Sequence, residues 1–181
     1  FRPSFLNAPW RNRNFQRVFK AAVFDNAKID DSGIVKKLRV DYDLIFQMNH
    51  IYRHLLDEGV GLRQVFDFYV LLKDYNKERY VRTELMGKEE MMKIISSCGM
   101  KRFATALMYV LKDIFHVGND ELICGISEKD GLFLQDEMMM AGNFGHYDTR
   151  MNAIEVRKGK LSFQLQRASR RFMRNLRFLS S

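Results

Sequence analysis

The sequence contains few of the residues that mark secreted, membrane-spanning or loop-rich proteins. Its 181 residues include two cysteines and two prolines, and both prolines lie before residue 10. Cys98 and Cys124 are isolated and lack the spacing of zinc ligands, which favours a reducing, cytoplasmic setting. No apolar run reaches the roughly 18 residues that a membrane-spanning helix needs. No secretory signal is visible either, although a chain that starts at Phe1 is expected to be a fragment.

The composition favours one all-α domain with a real core. Hydrophobic residues make up 46% of the chain and aromatic residues 13%, and helix formers dominate after the two early prolines. We therefore predict a bundle of about seven or eight helices. It follows an extended segment at 1–10 that we interpret as the remnant of a preceding domain. The helical domain is expected at 11–158 and a basic amphipathic C-terminal helix at 159–181.

The positive charge is concentrated at the C-terminus. The net charge is +8, and residues 150–181 hold nine basic residues against Glu155 alone. The first 149 residues therefore balance at 21 basic and 21 acidic residues. The excess says little about the body of the protein and a good deal about its last helix.

The stretch from Asp43 to Leu72 is the centre of the predicted fold. Its first helix has an apolar arc and an opposite polar side at helical spacing, and Gly59 supplies the stop. The second helix is apolar almost all round, so we expect it to be central and buried. The predicted apolar arc of the first helix consists of Leu44, Ile45, Met48, Ile51, Tyr52, Leu55 and Leu56.

Other periodic segments predict the remaining helices. They are expected at 11–25, 76–85, 88–97, 101–116, 132–141 and 160–179. In the last of these, an apolar face is expected to dock on the core and the arginines gather on the opposite side. That apolar face consists of Leu161, Leu165, Ala168, Phe172, Leu176 and Leu179.

Two patterns resemble metal sites but favour simpler interpretations. His50 and His54 lie one turn apart, yet the general-base Glu of a zinc-protease helix is replaced by Ile51, so a polar face towards solvent or a partner is favoured. Asp41 and Asp43 have the spacing of paired Mg²⁺ carboxylates. No convincing strand leads into them, and capping of a helix is the favoured role. We predict no metal site and no catalytic residue in this chain.

Arginines are the best candidates for ligand contacts. Arg63, Gln64 and Asp67 lie together at the start of the second central helix, and a guanidinium is a natural phosphate ligand. An internal Arg63–Asp67 pair explains the same residues equally well. Arg53 on the preceding helix could add a second positive charge.

The C-terminal part leaves several alternatives open. Gly142 to Gly145 lacks the ending of a phosphate-binding P-loop and is interpreted as a turn. The basic last helix could dock on the core, lie on an anionic membrane surface or bind nucleic acid. Docking, or continuation into a missing segment, is favoured, and nucleic acid is not expected because interleaved aromatic residues are sparse.

Several segments together resemble a known family. FRPSFL followed by NRNFQRVF, then FQMNHIYRHLLDEGVGLRQVFDFYVLL and finally GNFGHYD near a basic helix are similar to uncharacterised bacterial nucleotidyltransferases found with surface-polysaccharide genes. The resemblance implies a helical C-terminal portion whose catalytic N-terminal domain, with its Gly-Ser and Asp-x-Asp signatures, is not in this chain. By the same resemblance His50, Arg53, His54, Arg63, Gln64, Asp67, Asn143 and Gly145 fall in the family's polar stretch and glycine turn.

The resemblance gives the functional hypothesis. The full protein would transfer a nucleotidyl group from an NTP to an unknown acceptor with Mg²⁺ held outside this chain, and the residues here would contact phosphate or base. This chain alone is then expected to be inactive. Its expected location is the cytoplasm, where it could also be membrane-peripheral. The alternatives are a stand-alone helical interaction module, which its basic last helix could place at a membrane surface, and a metal-dependent hydrolase that uses His50 and His54.

Overall fold

The structure, a computed structural model, is a bundle of helices. It describes residues 9–20, 22, 38–57, 59–141, 168–169 and 171–179, and no strand occurs among them. The helices are α1 (Pro9–Lys20), α2 (Val40–Asp57), α3 (Leu62–Glu78), α4 (Lys88–Ser97), α5 (Lys101–Phe115), α6 (Glu128–Ala141) and α7 (171–179). The predicted all-α class and the lower helix count, seven, are therefore confirmed for the described part of the chain. Most of the predicted segment at 1–10 lies outside it.

The predicted turn between the two central helices is confirmed. Gly59 has a φ of 109°, a left-handed conformation that favours glycine, and its N–H donates to the carbonyl oxygen of His54 at 2.7 Å. Two residues later the Gly61 N–H donates to Oε1 of Gln64 at 3.1 Å, which satisfies an otherwise free amide at the start of α3. Every residue of the predicted apolar arc of α2 is buried.

The prediction that α3 is central and buried holds for only one of its sides. One side packs inward through Val65, Phe68, Leu72 and Tyr75, because α2 and α5 are the helices that cover it. The other side faces outward, and Phe66 is 50% exposed. Apolar composition does not reveal which side of a helix has a neighbour. The outward apolar residues, which we call the α3 stripe, are Leu62, Phe66 and Val70.

The predicted helix at 76–85 does not form. The α3 helix continues to Glu78, and a series of turns occupies 79–86. These turns fold back on α3, since the hydroxyl of Tyr75 donates to the carbonyl oxygen of Met86 at 2.8 Å. On the other side the Met86 N–H donates to Asp41 Oδ2 at 2.8 Å. Both contacts use backbone groups of Met86, which holds the segment as a loop.

The α5 helix forms the middle of the core and packs against α3, α4 and α6. Seven of its fifteen residues are buried, including Phe103, Leu107 and Leu111. It approaches α6 most closely at Gly131, where a Cβ atom would overlap the ring and Cβ of Tyr109. A glycine within a helix is less favourable than other residues, and this close approach explains its presence in the first turn of α6.

The α7 helix docks by the face opposite to the predicted one. Phe178 is fully buried, and Arg174 is buried with it. Phe172 is 64% exposed, and Met173 and Leu176 are also exposed. Of the predicted docking face only Leu179 packs partly on the core, and Ala168 is exposed, while Leu161 and Leu165 lie outside the described residues. We call Phe172, Met173 and Leu176 the α7 stripe.

Acidic residues on α2 and α6 explain the inverted docking. Arg174 contacts Glu137 at 3.2 Å, Arg177 contacts Asp130 at 2.8 Å, and Arg171 contacts Asp57 at 2.6 Å. The arginines are three residues apart, so they share one side of α7. In addition the Tyr52 hydroxyl donates to the carbonyl oxygen of Phe178 at 3.1 Å. Guanidinium groups with matching carboxylates can be buried, whereas an unmatched row of arginines would have to face water.

Candidate functional site

The polar side of α2 forms an open cleft near the end of the helix. Its volume is about 200 Å³, and the described residues that line it are His50, Arg53, His54 and Asp57. These positions are three, four and seven residues apart, which places them on one side of a helix. Three of the four, His50, Arg53 and His54, were predicted as site residues from the sequence.

The two histidines are in contact. Their ring centroids lie 4.4 Å apart with the planes at 78°. Partial loss of solvent lowers the pKa of His50 from its ordinary value of 6.5, and the positive charges of His54 and Arg53 lower it further. His50 is therefore a neutral imidazole near pH 7, with one N–H donor and one acceptor nitrogen.

Arg53 is the cation of this cleft. It is exposed, and within the described residues no carboxylate forms an ion pair with it. Its five N–H donors are thus open to a ligand. The location at the C-terminal half of α2 suits a cation, because the carbonyl ends of the helix carry partial negative charge there.

Asp57 differs from the other cleft residues because α7 supplies its partner. Arg171 Nη2 lies 2.6 Å from Asp57 Oδ1. A surface ion pair between two residues 114 positions apart in sequence therefore borders the cleft. Sequence reasoning missed Arg171 because it assigned all the arginines of the last helix to solvent. The available signal was the three-residue spacing of Arg171, Arg174 and Arg177.

The other predicted ligand residues lie elsewhere. Arg63 and Asp67 are both exposed on α3, and the expected ion pair between them is absent from the described structure. Gln64 is buried, and its side chain accepts from Gly61, so it supports the turn. None of the three lines the cleft. Asn143 and Gly145 lie outside the described residues.

Asp41 has a structural role instead of a metal-binding one. It lies inside the first turn of α2 and is completely buried. Its two carboxylate oxygens accept from Arg39 at 3.0 and 2.6 Å and from the Met86 N–H. The favoured capping role is thereby refined, because the carboxylate joins the start of α2 to the loop before α4.

Metal and thiol chemistry find little support in the described residues. Nowhere in that part of the chain do three or more histidine, cysteine, aspartate or glutamate side chains form a group that could hold a metal ion. Both cysteines are free. Burial raises the pKa of the Cys98 thiol, and burial raises that of Cys124 to about 11, so both remain thiols at neutral pH.

Comparison with known protein families, with curated proteins and with solved structures finds no match for this chain. The resemblance to nucleotidyltransferases therefore stays a prediction. The helices in the described ranges include none that is long and apolar enough to cross a membrane.

Proposed function

We propose that this chain is the helical, non-catalytic part of a nucleotidyltransferase, and that the α2 cleft contacts the phosphate groups of the NTP. The observation that carries the proposal is the common opening of Arg53, His50 and His54 into one cleft, with no carboxylate paired to Arg53 in the described structure. The segment resemblance given above supplies the reaction class. The cleft chemistry supplies the ligand class.

The donors of the cleft fit a phosphate. A guanidinium can bind two phosphate oxygens at once, and the neutral imidazole of His50 offers one N–H. Asp57 has the wrong sign for such a ligand, but Arg171 already offsets its charge. Helix N-terminal amides, the usual backbone contribution to phosphate sites, are absent at this end of α2. The side chains must therefore carry the binding, and we expect weak affinity, with a Kd on the order of 1 mM.

The Mg²⁺ that the resemblance implies does not fit the described residues. Asp41 is already used by Arg39 and Met86, and no group of three possible ligands occurs in that part of the chain. In the proposed function this chain positions phosphate, and carboxylates outside it would carry the metal.

Phosphate binding is tested by titrating the labelled 181-residue chain with tripolyphosphate, ATP and adenosine while NMR follows His50, His54 and Arg53. Tripolyphosphate and ATP should shift these signals, and adenosine should not. Arg53→Ala should weaken binding roughly tenfold, the loss of about 1.4 kcal/mol. Arg82→Ala is the control, because Arg82 lies in the 79–86 turns, does not line the cleft, and in the described structure pairs with Glu78 and Glu84. Equal losses in both variants, or no shift at millimolar tripolyphosphate, would refute the site.

The reaction class has a separate test. We expect the gene to encode, before Phe1, a Gly-Ser motif and a strand with Asp-x-Asp. Their absence would refute the nucleotidyltransferase part of the proposal and leave the phosphate cleft to be judged by its own titration.

A further inference from the structure

The α7 stripe is an exposed apolar row, and two of its residues, Phe172 and Leu176, were predicted from the sequence to be buried. Phe172, Met173 and Leu176 lie within an arc of about 100° on one helix, and all three are more than half exposed. Single exposed apolar residues are ordinary on a protein surface. A row of three on one face of a helix marks a surface that a membrane or another molecule covers.

Basic residues dominate the sequence before the α7 stripe, and the carboxylates that contact α7 are paired with its arginines. The carboxylates of Asp57, Asp130 and Glu137 face the arginines on the docked side of α7. The sequence that leads directly into α7 adds six more basic residues against Glu155 alone. These six are Arg150, Arg157, Lys158, Lys160, Arg167 and Arg170.

The α3 stripe provides an internal comparison. It too presents a phenylalanine and a leucine four residues apart, Phe66 and Leu62. However, the exposed Arg63 and Asp67 on the same helix offset each other in charge, and no basic tract adjoins the α3 stripe in sequence. An anionic surface would therefore be attracted to the α7 end of the chain and would gain little at α3.

From these observations we infer that the α7 stripe and the basic tract before it bind the surface of an anionic phospholipid membrane. The apolar side chains would enter the boundary between headgroups and acyl chains, and the basic residues would contact the headgroups. Each lysine or arginine close to such a surface strengthens binding roughly fivefold. The inference is independent of the phosphate cleft and of the nucleotidyltransferase proposal.

A second copy of the chain is the less favoured occupant. A stable dimer buries about 800 Å² on each partner, and three side chains on a short helix provide only part of that area. Membrane association has no such threshold, because several weak contributions add and binding remains reversible.

Flotation of the full chain with two kinds of vesicle tests the inference. The wild-type chain should float with vesicles of phosphatidylserine and phosphatidylcholine and stay behind with phosphatidylcholine alone. The double variant Phe172→Ser with Leu176→Ser should bind at least tenfold more weakly. Both positions are exposed, so its melting temperature should match that of the wild type. The matched control is Leu62→Ser with Phe66→Ser on the α3 stripe, which should float like the wild type.

Four outcomes would overturn the inference. The first is a wild-type chain that does not float with phosphatidylserine. The second is undiminished binding of the α7 variant, which would leave the basic tract as the sole determinant. The third is an equal loss in the α3 control. The fourth is a wild-type dimer in light scattering that the α7 variant abolishes without any vesicle binding, which would assign the stripe to a second copy.

Discussion

Helices α5 and α7 belong to the same core but reach it by opposite chemistry. The α5 helix buries a continuous apolar side, and its position follows from hydrophobic periodicity. The α7 helix buries Phe178 together with a row of arginines and leaves its α7 stripe outside. The difference teaches that periodicity locates a helix face correctly only when no set of matching charges competes for the same side.

The largest expected effect separates the two helices directly. Leu107→Ala on α5 removes a fully buried side chain and should lower the free energy of unfolding by roughly 2–5 kcal/mol. Leu176→Ala on α7 removes the same atoms from an exposed position and should change it by less than about 0.5 kcal/mol. Urea unfolding measures both. A large loss for Leu176→Ala would mean that the α7 stripe is covered.

The buried ion pair of α7 gives the second test. Glu137→Leu removes the carboxylate that Arg174 contacts and should weaken the docking of α7 by about 3 kcal/mol, as expected when a buried pair is broken. Combining it with Arg174→Met should restore most of this loss, because an apolar pair needs no solvation. Hydrogen exchange of the Phe178 amide reports the docking. If the Phe178 amide exchanges as fast in the double variant as in the single variant, Arg174 stabilises the docking of α7 by more than its charge.

Acid should lower the stability of the fold through Asp130, which joins α6 to both α5 and α7, in a defined pH range. Burial tends to raise the pKa of Asp130, but hydrogen bonds from Arg102, Arg177 and Ser127 prevail and lower it from 3.8 to about 2. The stabilisation, about 2 kcal/mol, is thus complete above pH 4 and is lost as the pH falls from about 4 to about 2.

Unfolding measured across this range checks the prediction. Asp130→Asn should reduce the pH dependence of the free energy of unfolding below pH 4. Glu89→Gln, which changes an exposed carboxylate on α4, is the control. It should leave the pH dependence of the free energy of unfolding unchanged. An unchanged slope in Asp130→Asn would contradict the assignment.

The smallest effect concerns the cleft beside the Asp57–Arg171 pair. His50 should titrate below its ordinary pKa of 6.5. Because the unfolded chain takes up the proton first, stability falls slightly as the pH drops through 6.5. In Arg53→Ala the pKa of His50 should rise but stay below 6.5, since loss of solvent is the larger cause. NMR titration measures this, and Lys129→Ala should leave the value unchanged.

Much of the fold could be predicted from the sequence. The all-α class, the α2–α3 turn and the bounds of α4 follow from periodicity and glycine positions, which are local signals. The outward side of α3 and the docked side of α7 could not be predicted, because both depend on which distant residues lie opposite. The same contrast between local signals and distant contacts applies to the residues of the cleft. His50, Arg53 and His54 share one helix and were found together, whereas Arg171 arrives from 114 residues away and was missed.

The missing side chain at Gly131 has a wider consequence than its size suggests. It lets α6 lie against Tyr109 of α5, and the carboxylates of Asp130 and Glu137 are carried on that same helix. Any larger residue at 131 would push α6 away from α5 and move the carboxylates of Asp130 and Glu137 away from α7. A methyl group at this position should therefore weaken the docking of the C-terminal helix.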